Sequence, residues 1–177
     1  MPSRTGTPPK GEFVRHVDME ELADGASRDV ALTATADERA RLARRFGLLG
    51  LDRFEARATL SRQGAAVRAA IDIEADVVQA CVVTLEPIAA TVSDSVVVTF
   101  RPMTPGDATE VDIDVRDEDP PEPLVGHAVD LGEPAAEALG LALDPYPRKP
   151  DAAFGGWSDA EAPAREGPFT VLSRLKR

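Results

Sequence analysis

Two runs of alternating apolar and polar residues dominate the middle of the chain and constrain its fold more than any other feature. The first run covers residues 54–60 and the second covers residues 67–77. A period of two is that of a half-buried β-strand, whose successive side chains point to opposite faces. The short connection between the runs contains Gly64. The pattern therefore predicts an antiparallel β-hairpin with one apolar face and one charged face.

The charged face of this hairpin is expected to carry ion pairs. The first strand contributes Arg53 and Arg57, and the second contributes Asp72, Glu74 and Asp76. Opposite charges on neighbouring strands stabilise a sheet by about a few tenths of a kcal/mol per pair. We therefore expect arginines of the first strand to lie against carboxylates of the second.

Two helices are predicted, one before the hairpin and one after it. Thr35 and Glu38 have the spacing of a capping box, and Gly47 stands where a left-handed C-cap is expected. These signals predict a helix over residues 36–46. A second helix is predicted near residues 131–140, where a proline occupies the first turn.

The remaining strand signals define the fold class. They lie at residues 13–17, 30–32, 87–102 and 111–115, and the third of these segments could form one strand or two. Together with the hairpin they predict an α+β fold, a largely antiparallel twisted sheet of about six or seven strands with two main flanking helices. The sequence leaves open whether this sheet closes into a barrel.

Composition divides the chain into three parts. Residues 1–11 are rich in Pro, Gly, Ser and Thr, which predicts a disordered arm. Residues 12–150 carry the strand and helix signals and are predicted to form a single α+β domain. From residue 151 onward Gly, Pro, Ala and charged residues dominate, so residues 151–177 are expected to be a loosely ordered C-terminal tail.

The overall charge argues against non-specific binding to polyanions. The formal net charge is −11, so any contact with nucleic acid requires a local basic patch. The first residues lack an apolar leader segment, and no window is long and apolar enough to span a bilayer. With a single cysteine no internal disulfide can form. These observations predict a cytoplasmic protein that does not contact membranes.

Few residues could support catalysis or metal binding. A catalytic thiol needs a base, but His16 and His127 lie in no nucleophile motif near Cys81. Free cysteines are often buried, so packing in the core is favoured over reactivity. We predict no catalytic residues, no metal site, no cofactor and no small-molecule substrate.

The alternating acids at residues 110–114 have three interpretations. They lack the glycine and glutamate spacing of a calcium loop, which places a metal site last. A solvated edge strand is favoured, because charge on an edge discourages the addition of another strand. An acidic docking face for a basic protein or peptide is the second interpretation.

Arginines cluster on the first predicted helix and on the hairpin. Arginine contacts phosphates in a bidentate manner and stacks on bases, which favours nucleic-acid contact. The alternative is a solvated face whose arginines pair with neighbouring carboxylates, and both interpretations stay open. The candidate RNA contacts, which include two later cations, are Arg41, Arg44, Arg45, Arg53, Arg57, Arg148 and Lys149.

Two blocks of sequence resemble a known family. The first is "QACVVTLEPI" followed by "VVVTFRP", and the second is "AVDLGEPAAEALGLALDPYPRKP". They are similar to the YceD family of large ribosomal RNA accumulation proteins. The matching residues are Cys81, Leu85, Glu86, Pro87, Phe100, Pro102, Asp130, Leu131, Tyr146 and Pro147. Thr84 stands where the family pattern has a second cysteine, so this chain cannot use such a pair for metal or redox chemistry.

The resemblance implies a non-enzymatic role in the accumulation or processing of large-subunit (23S) ribosomal RNA. Its matched positions are mostly apolar or turn-forming, so they are expected to be structural. The implied partner is precursor large-subunit RNA, contacted through the arginines. The alternative is an adaptor that binds a basic ribosomal protein through the acidic strand and the following loop, without contacting RNA directly.

Overall fold

The computed structural model describes residues 11–19, 22–102, 121–124 and 126–153, and it has the predicted α+β fold. Nine elements are defined in this part of the chain. In chain order they are β1 (His16–Asp18), β2 (Ser27–Thr33), α1 (Ala36–Arg45), β3 (Gly50–Gln63), β4 (Ala66–Ala80), β5 (Pro87–Pro102), β6 (Glu122–Leu124), β7 (Ala128–Asp130) and α2 (Gly132–Ala142).

The predicted hairpin is the centre of the main sheet. Strands β3 and β4 are antiparallel, with Phe54 opposite Ala75 and Arg57 opposite Asp72. Strands β2 and β5 add antiparallel on either side, and β6 pairs parallel with the end of β5, which makes the order β2-β3-β4-β5-β6. The described strands thus form an open sheet, in which β2 and β6 are the two edges.

Several predictions change in detail. Residues 87–102 form one strand of 16 residues, and helix α1 ends one residue earlier than predicted, at Arg45. The first strand signal forms only β1, which pairs with β7 in a separate two-stranded sheet. The predicted strand at 111–115 lies outside the described residues, as do most of the predicted N-terminal arm and C-terminal tail.

The core lies on one side of the main sheet. Alternate residues of β3 and β4 are buried there, including Phe54, Leu60 and Ile71. Helix α1 contributes Leu42 and helix α2 contributes Leu139 to the same cluster. Both helices therefore cover the same face, and the opposite face of the hairpin is left to charged and polar side chains.

The predicted capping box forms at the start of α1 and is extended by a long-range ion pair. The Thr35 hydroxyl accepts a hydrogen bond from the Glu38 backbone N–H, and the Glu38 carboxylate accepts one from the Thr35 backbone N–H. Arg15 donates two parallel hydrogen bonds to Glu38, at 2.7 and 2.8 Å. The guanidinium of Arg15 also lies 4.3 Å from the centre of the Phe13 ring. These contacts attach the N-terminal segment to α1.

Candidate RNA-contacting surface

Helix α1 carries three of the predicted RNA contacts, and two of them are already bound within the chain. Arg45 donates two hydrogen bonds to Glu133 of α2, at 2.6 and 3.0 Å, and these bonds raise its pKa above the ordinary value. Arg41 donates to the backbone carbonyl of Glu12. Arg44 is exposed and makes no ion pair with any described residue. Among these three arginines, Arg44 is the one available to a partner.

Arg44 lies at an open groove between α1 and the start of β3. The groove has a volume of about 490 Å³, and its floor is formed by alanines of α1 and by Leu48 and Leu51. Arg39 also lines it, and its guanidinium donates a hydrogen bond to the backbone carbonyl of Ala34. Two guanidinium groups that have no carboxylate partner among the described residues therefore border one concave surface. The sequence places Arg39 in the arginine cluster of the first predicted helix but does not single it out as a contact, because spacing along a helix does not show which face remains open.

Arg53 is enclosed by carboxylates on the outer face of the sheet. It lies 2.8 Å from both Asp76 and Glu74 and 3.5 Å from Glu55. The hydrogen bonds of Arg53 lower the pKa values of Asp76 and Glu74 and raise the pKa of Arg53 itself. The predicted cross-strand ion pairs are therefore confirmed at this position. They leave Arg53 with little capacity to bind a phosphate.

The other three candidates are distributed over two places. Arg57 is exposed on the outer face of the sheet, opposite Asp72, and makes no ion pair with a described residue. Arg148 and Lys149 follow α2 and lie near the turn between β4 and β5. Lys149 forms an ion pair with Glu86 at 2.9 Å, and Arg148 donates to the carbonyl of Ala152.

The seven candidates therefore do not form one patch. The arginines of α1 lie on the helical side of the main sheet, Arg53 and Arg57 lie on its outer face, and the last two cations lie beside the β4–β5 turn. Contact with RNA remains a prediction for each of them. Of the seven candidates, Arg44 and Arg57 are exposed and form no ion pair with a described residue.

The turn between β4 and β5 holds the lone cysteine. Cys81 is fully buried, as predicted, although it does not belong to the main apolar core cluster. The Thr84 hydroxyl, followed by backbone N–H groups of Lys149, Thr84 and Val83, lowers the pKa of its thiol to about 6. Thr84, at the position where the family pattern has a second cysteine, is thus the largest contributor to this lowered pKa. The exposed Leu85 has a positive φ of 61°, which closes the turn.

Several of the remaining motif residues make contacts between separate segments of the fold. Asp130 accepts hydrogen bonds from the backbone N–H groups of Arg15 and Gly132, so it connects the N-terminal segment to the start of α2. Phe100 and Leu131 are buried in the core. The carbonyl of Pro147 accepts from the backbone N–H of Val82, which ties the segment after α2 to the β4–β5 turn.

The other matched positions lie at the ends of strands or on the surface. Glu86 joins the same turn, because its carboxylate contacts Lys149 and Thr84, which together lower its pKa. Pro87 and Pro102 are the first and last residues of β5. Tyr146 is 76% exposed, and its backbone N–H donates to Asp144.

A match to a family model identifies the family of this chain. The model of the large ribosomal RNA subunit accumulation protein YceD matches residues 69–176, which is more than half of the 177 residues. The chain belongs to the YceD family. Membership implies a role in the accumulation of large-subunit ribosomal RNA. The matched range covers most of β4 and all of β5 and α2, with both sequence blocks that resemble the family. No curated protein and no solved structure matches this YceD chain.

Among the described residues, no group of three or more His, Cys, Asp or Glu side chains could hold a metal ion. Within the same part of the chain, neither helix is long and apolar enough to cross a membrane.

Proposed function

We propose that this YceD protein is a non-enzymatic ribosome-assembly factor that contacts precursor large-subunit RNA through the α1 groove. The observation that carries the proposal is the pair Arg39 and Arg44, which border a concave surface and have no carboxylate partner among the described residues. On a chain with a net charge of −11, two such arginines in one groove supply the local positive potential that a phosphate backbone requires.

The floor of the groove also suits a nucleotide. The half-buried Leu48 supplies an apolar contact for the face of a base or sugar, while the guanidinium groups can donate paired hydrogen bonds to phosphate oxygens. Leu49 is 58% exposed at the same place, which adds to the available apolar surface. Asp52 also lines the groove, and its carboxylate would direct the phosphates towards the arginines.

Charge reversal with a matched control tests this proposal. The double variant R39E/R44E should bind fragments of large-subunit ribosomal RNA at least about tenfold more weakly than the wild type. The slope of log Kd against the logarithm of the salt concentration should decrease by about 2, because two phosphate contacts are lost. The control R57E/R68E makes the same change in net charge on the outer face of the sheet, at two exposed arginines. It should retain most of the affinity in a filter-binding titration at fixed salt.

Two outcomes would overturn the assignment. Equal losses in the two double variants would show a non-specific charge effect, and a larger loss in R57E/R68E would place RNA on the outer face of the sheet. Circular dichroism of each variant checks that the fold is retained, since Glu near the C-terminus of α1 costs only about 0.3–1 kcal/mol.

A protein adaptor is the second candidate function, and an acidic surface that only partly overlaps the predicted one supports it. The acidic residues 110–114 and most of the loop after them lie outside the described residues, but the end of that loop, with Glu122, is described. The described chain, however, has an acid-rimmed cavity beside α2, lined by Glu122, Glu133 and Glu137 among others. A pull-down of ribosomal proteins that survives nuclease treatment supports the adaptor, whereas complete loss after nuclease contradicts it.

A further inference from the structure

An apolar cavity with an acidic rim lies where the two sheets meet α2. It has a volume of about 470 Å³, within the range of about 300–1,000 Å³ that is usual for ligand pockets. Phe100, Pro123, Ala128 and Pro134 form its apolar walls. They come from β5, β6, β7 and α2, and His16 of β1 also lines the cavity, so five elements of the fold build it.

The carboxylates at this cavity differ in what they already bind. Asp130 accepts two backbone hydrogen bonds and Glu133 holds Arg45, so both have partners within the chain. Glu122 and Glu137 are exposed and form no ion pair among the described residues. Within the part of the chain that the structure describes, these two carboxylates are therefore available to bind a cation that enters the cavity.

Helix α2 already shows which cation such carboxylates bind well. Glu133 holds the guanidinium of Arg45 through two hydrogen bonds, the bidentate geometry in which arginine and carboxylate fit best. Glu137 lies four residues later, which places it on the same face of the helix one turn away. It also contributes to the electrostatic raising of the pKa of Arg45.

We infer that this cavity binds an arginine-bearing segment of a basic protein partner. The methylene stem of an arginine packs on apolar walls while its charged head reaches carboxylates, which is the combination that this cavity offers. Phosphate groups are disfavoured here, because the rim carboxylates repel them. The inference rests on the adaptor function proposed above and is independent of RNA contact at α1.

A labelled arginine-rich peptide tests the cavity directly on the full chain. Fluorescence anisotropy should show binding that weakens with salt, and the same peptide with citrulline in place of arginine should not bind. The variant E122Q/E137Q should bind the arginine peptide about tenfold more weakly, which corresponds to about 1.4 kcal/mol. The control E55Q/D72N removes the same charge from the outer face of the sheet and should bind as the wild type does.

Three results would overturn the inference. The first is unchanged binding in E122Q/E137Q, and the second is an equal loss in E55Q/D72N, which would indicate a general charge effect. The third is peptide binding that is absent in the wild type and appears only in the variant R174Q/K176Q/R177Q, which lacks the last cations of the chain. That result would show that the chain's own C-terminal tail, and not a partner protein, occupies the cavity. The pull-down after nuclease treatment tests the adaptor function separately. The adaptor function and the binding of arginine in the cavity can therefore be refuted independently of each other.

Discussion

Replacing Glu38 with Gln removes an ion pair that attaches the N-terminal segment to helix α1. The Arg15 hydrogen bonds and the capping contacts of Thr35 lower the pKa of Glu38 from 4.5 to about 2. A change of this size corresponds to about 3 kcal/mol if none of it is screened. The side chains of Arg15 and Glu38 are 25% and 14% exposed, so water screens part of the attraction. We therefore expect E38Q to lose about 1–2 kcal/mol of unfolding free energy near neutral pH.

The pH dependence follows from the direction of the shift. Because the pKa of Glu38 is lower in the folded chain than in the unfolded chain, its contribution is complete above pH 4.5 and is lost as the pH falls towards 2. The difference in stability between wild type and E38Q should therefore be constant above pH 4.5 and shrink below it. Urea unfolding followed by circular dichroism at a series of pH values measures both quantities.

The neighbouring acid provides the control. Asp37 also lies in the first turn of α1, but it is exposed and has no ion pair among the described residues. D37N should lower the unfolding free energy by only about 0.3–1 kcal/mol, which is the contribution of a negative charge near the N-terminus of a helix. Gln at position 38 can still serve in a capping box. The amount by which E38Q lowers the unfolding free energy more than D37N does therefore measures the contribution of the ion pair with Arg15. An E38Q loss no larger than that of D37N, or a difference that persists unchanged below pH 4.5, would refute this reasoning.

Two further predictions concern a close backbone contact and the buried thiol. A Cβ at Gly132 would overlap the carbonyl oxygen of Phe13, so G132A should lower the unfolding free energy by about 3 kcal/mol. Thermal unfolding measures this loss against G50A, whose Cβ would meet Val78 at an ordinary 3.5 Å; equal melting temperatures would contradict it. T84V removes the hydroxyl that contributes most to lowering the pKa of Cys81. The pKa of the Cys81 thiol should therefore rise above its value of about 6. Ultraviolet absorbance of the thiolate across pH, with C81A as blank, measures the rise, and an unchanged midpoint would show that backbone N–H groups alone hold the thiolate.

Local patterns in the sequence determined the elements of this fold and the family. The alternation at 54–60 and 67–77 predicts the β3–β4 hairpin, because a half-buried strand exposes every second side chain wherever it lies in the molecule. Thr35 and Glu38 predict the start of α1 for a similar reason, since a capping box closes within one turn. The motifs around β5 and α2 place the chain in the YceD family.

Only the tertiary structure decided which charged groups remain available. Arg41 and Arg44 look equivalent along the helix, but packing brings Glu12 to the first and leaves the second open. The cavity beside α2 has the same origin, because Phe100 and Glu137 are far apart in sequence and meet only when β5 packs against the helix. An ion pair or a cavity depends on distances between separate elements, and these distances exist only once the core has formed.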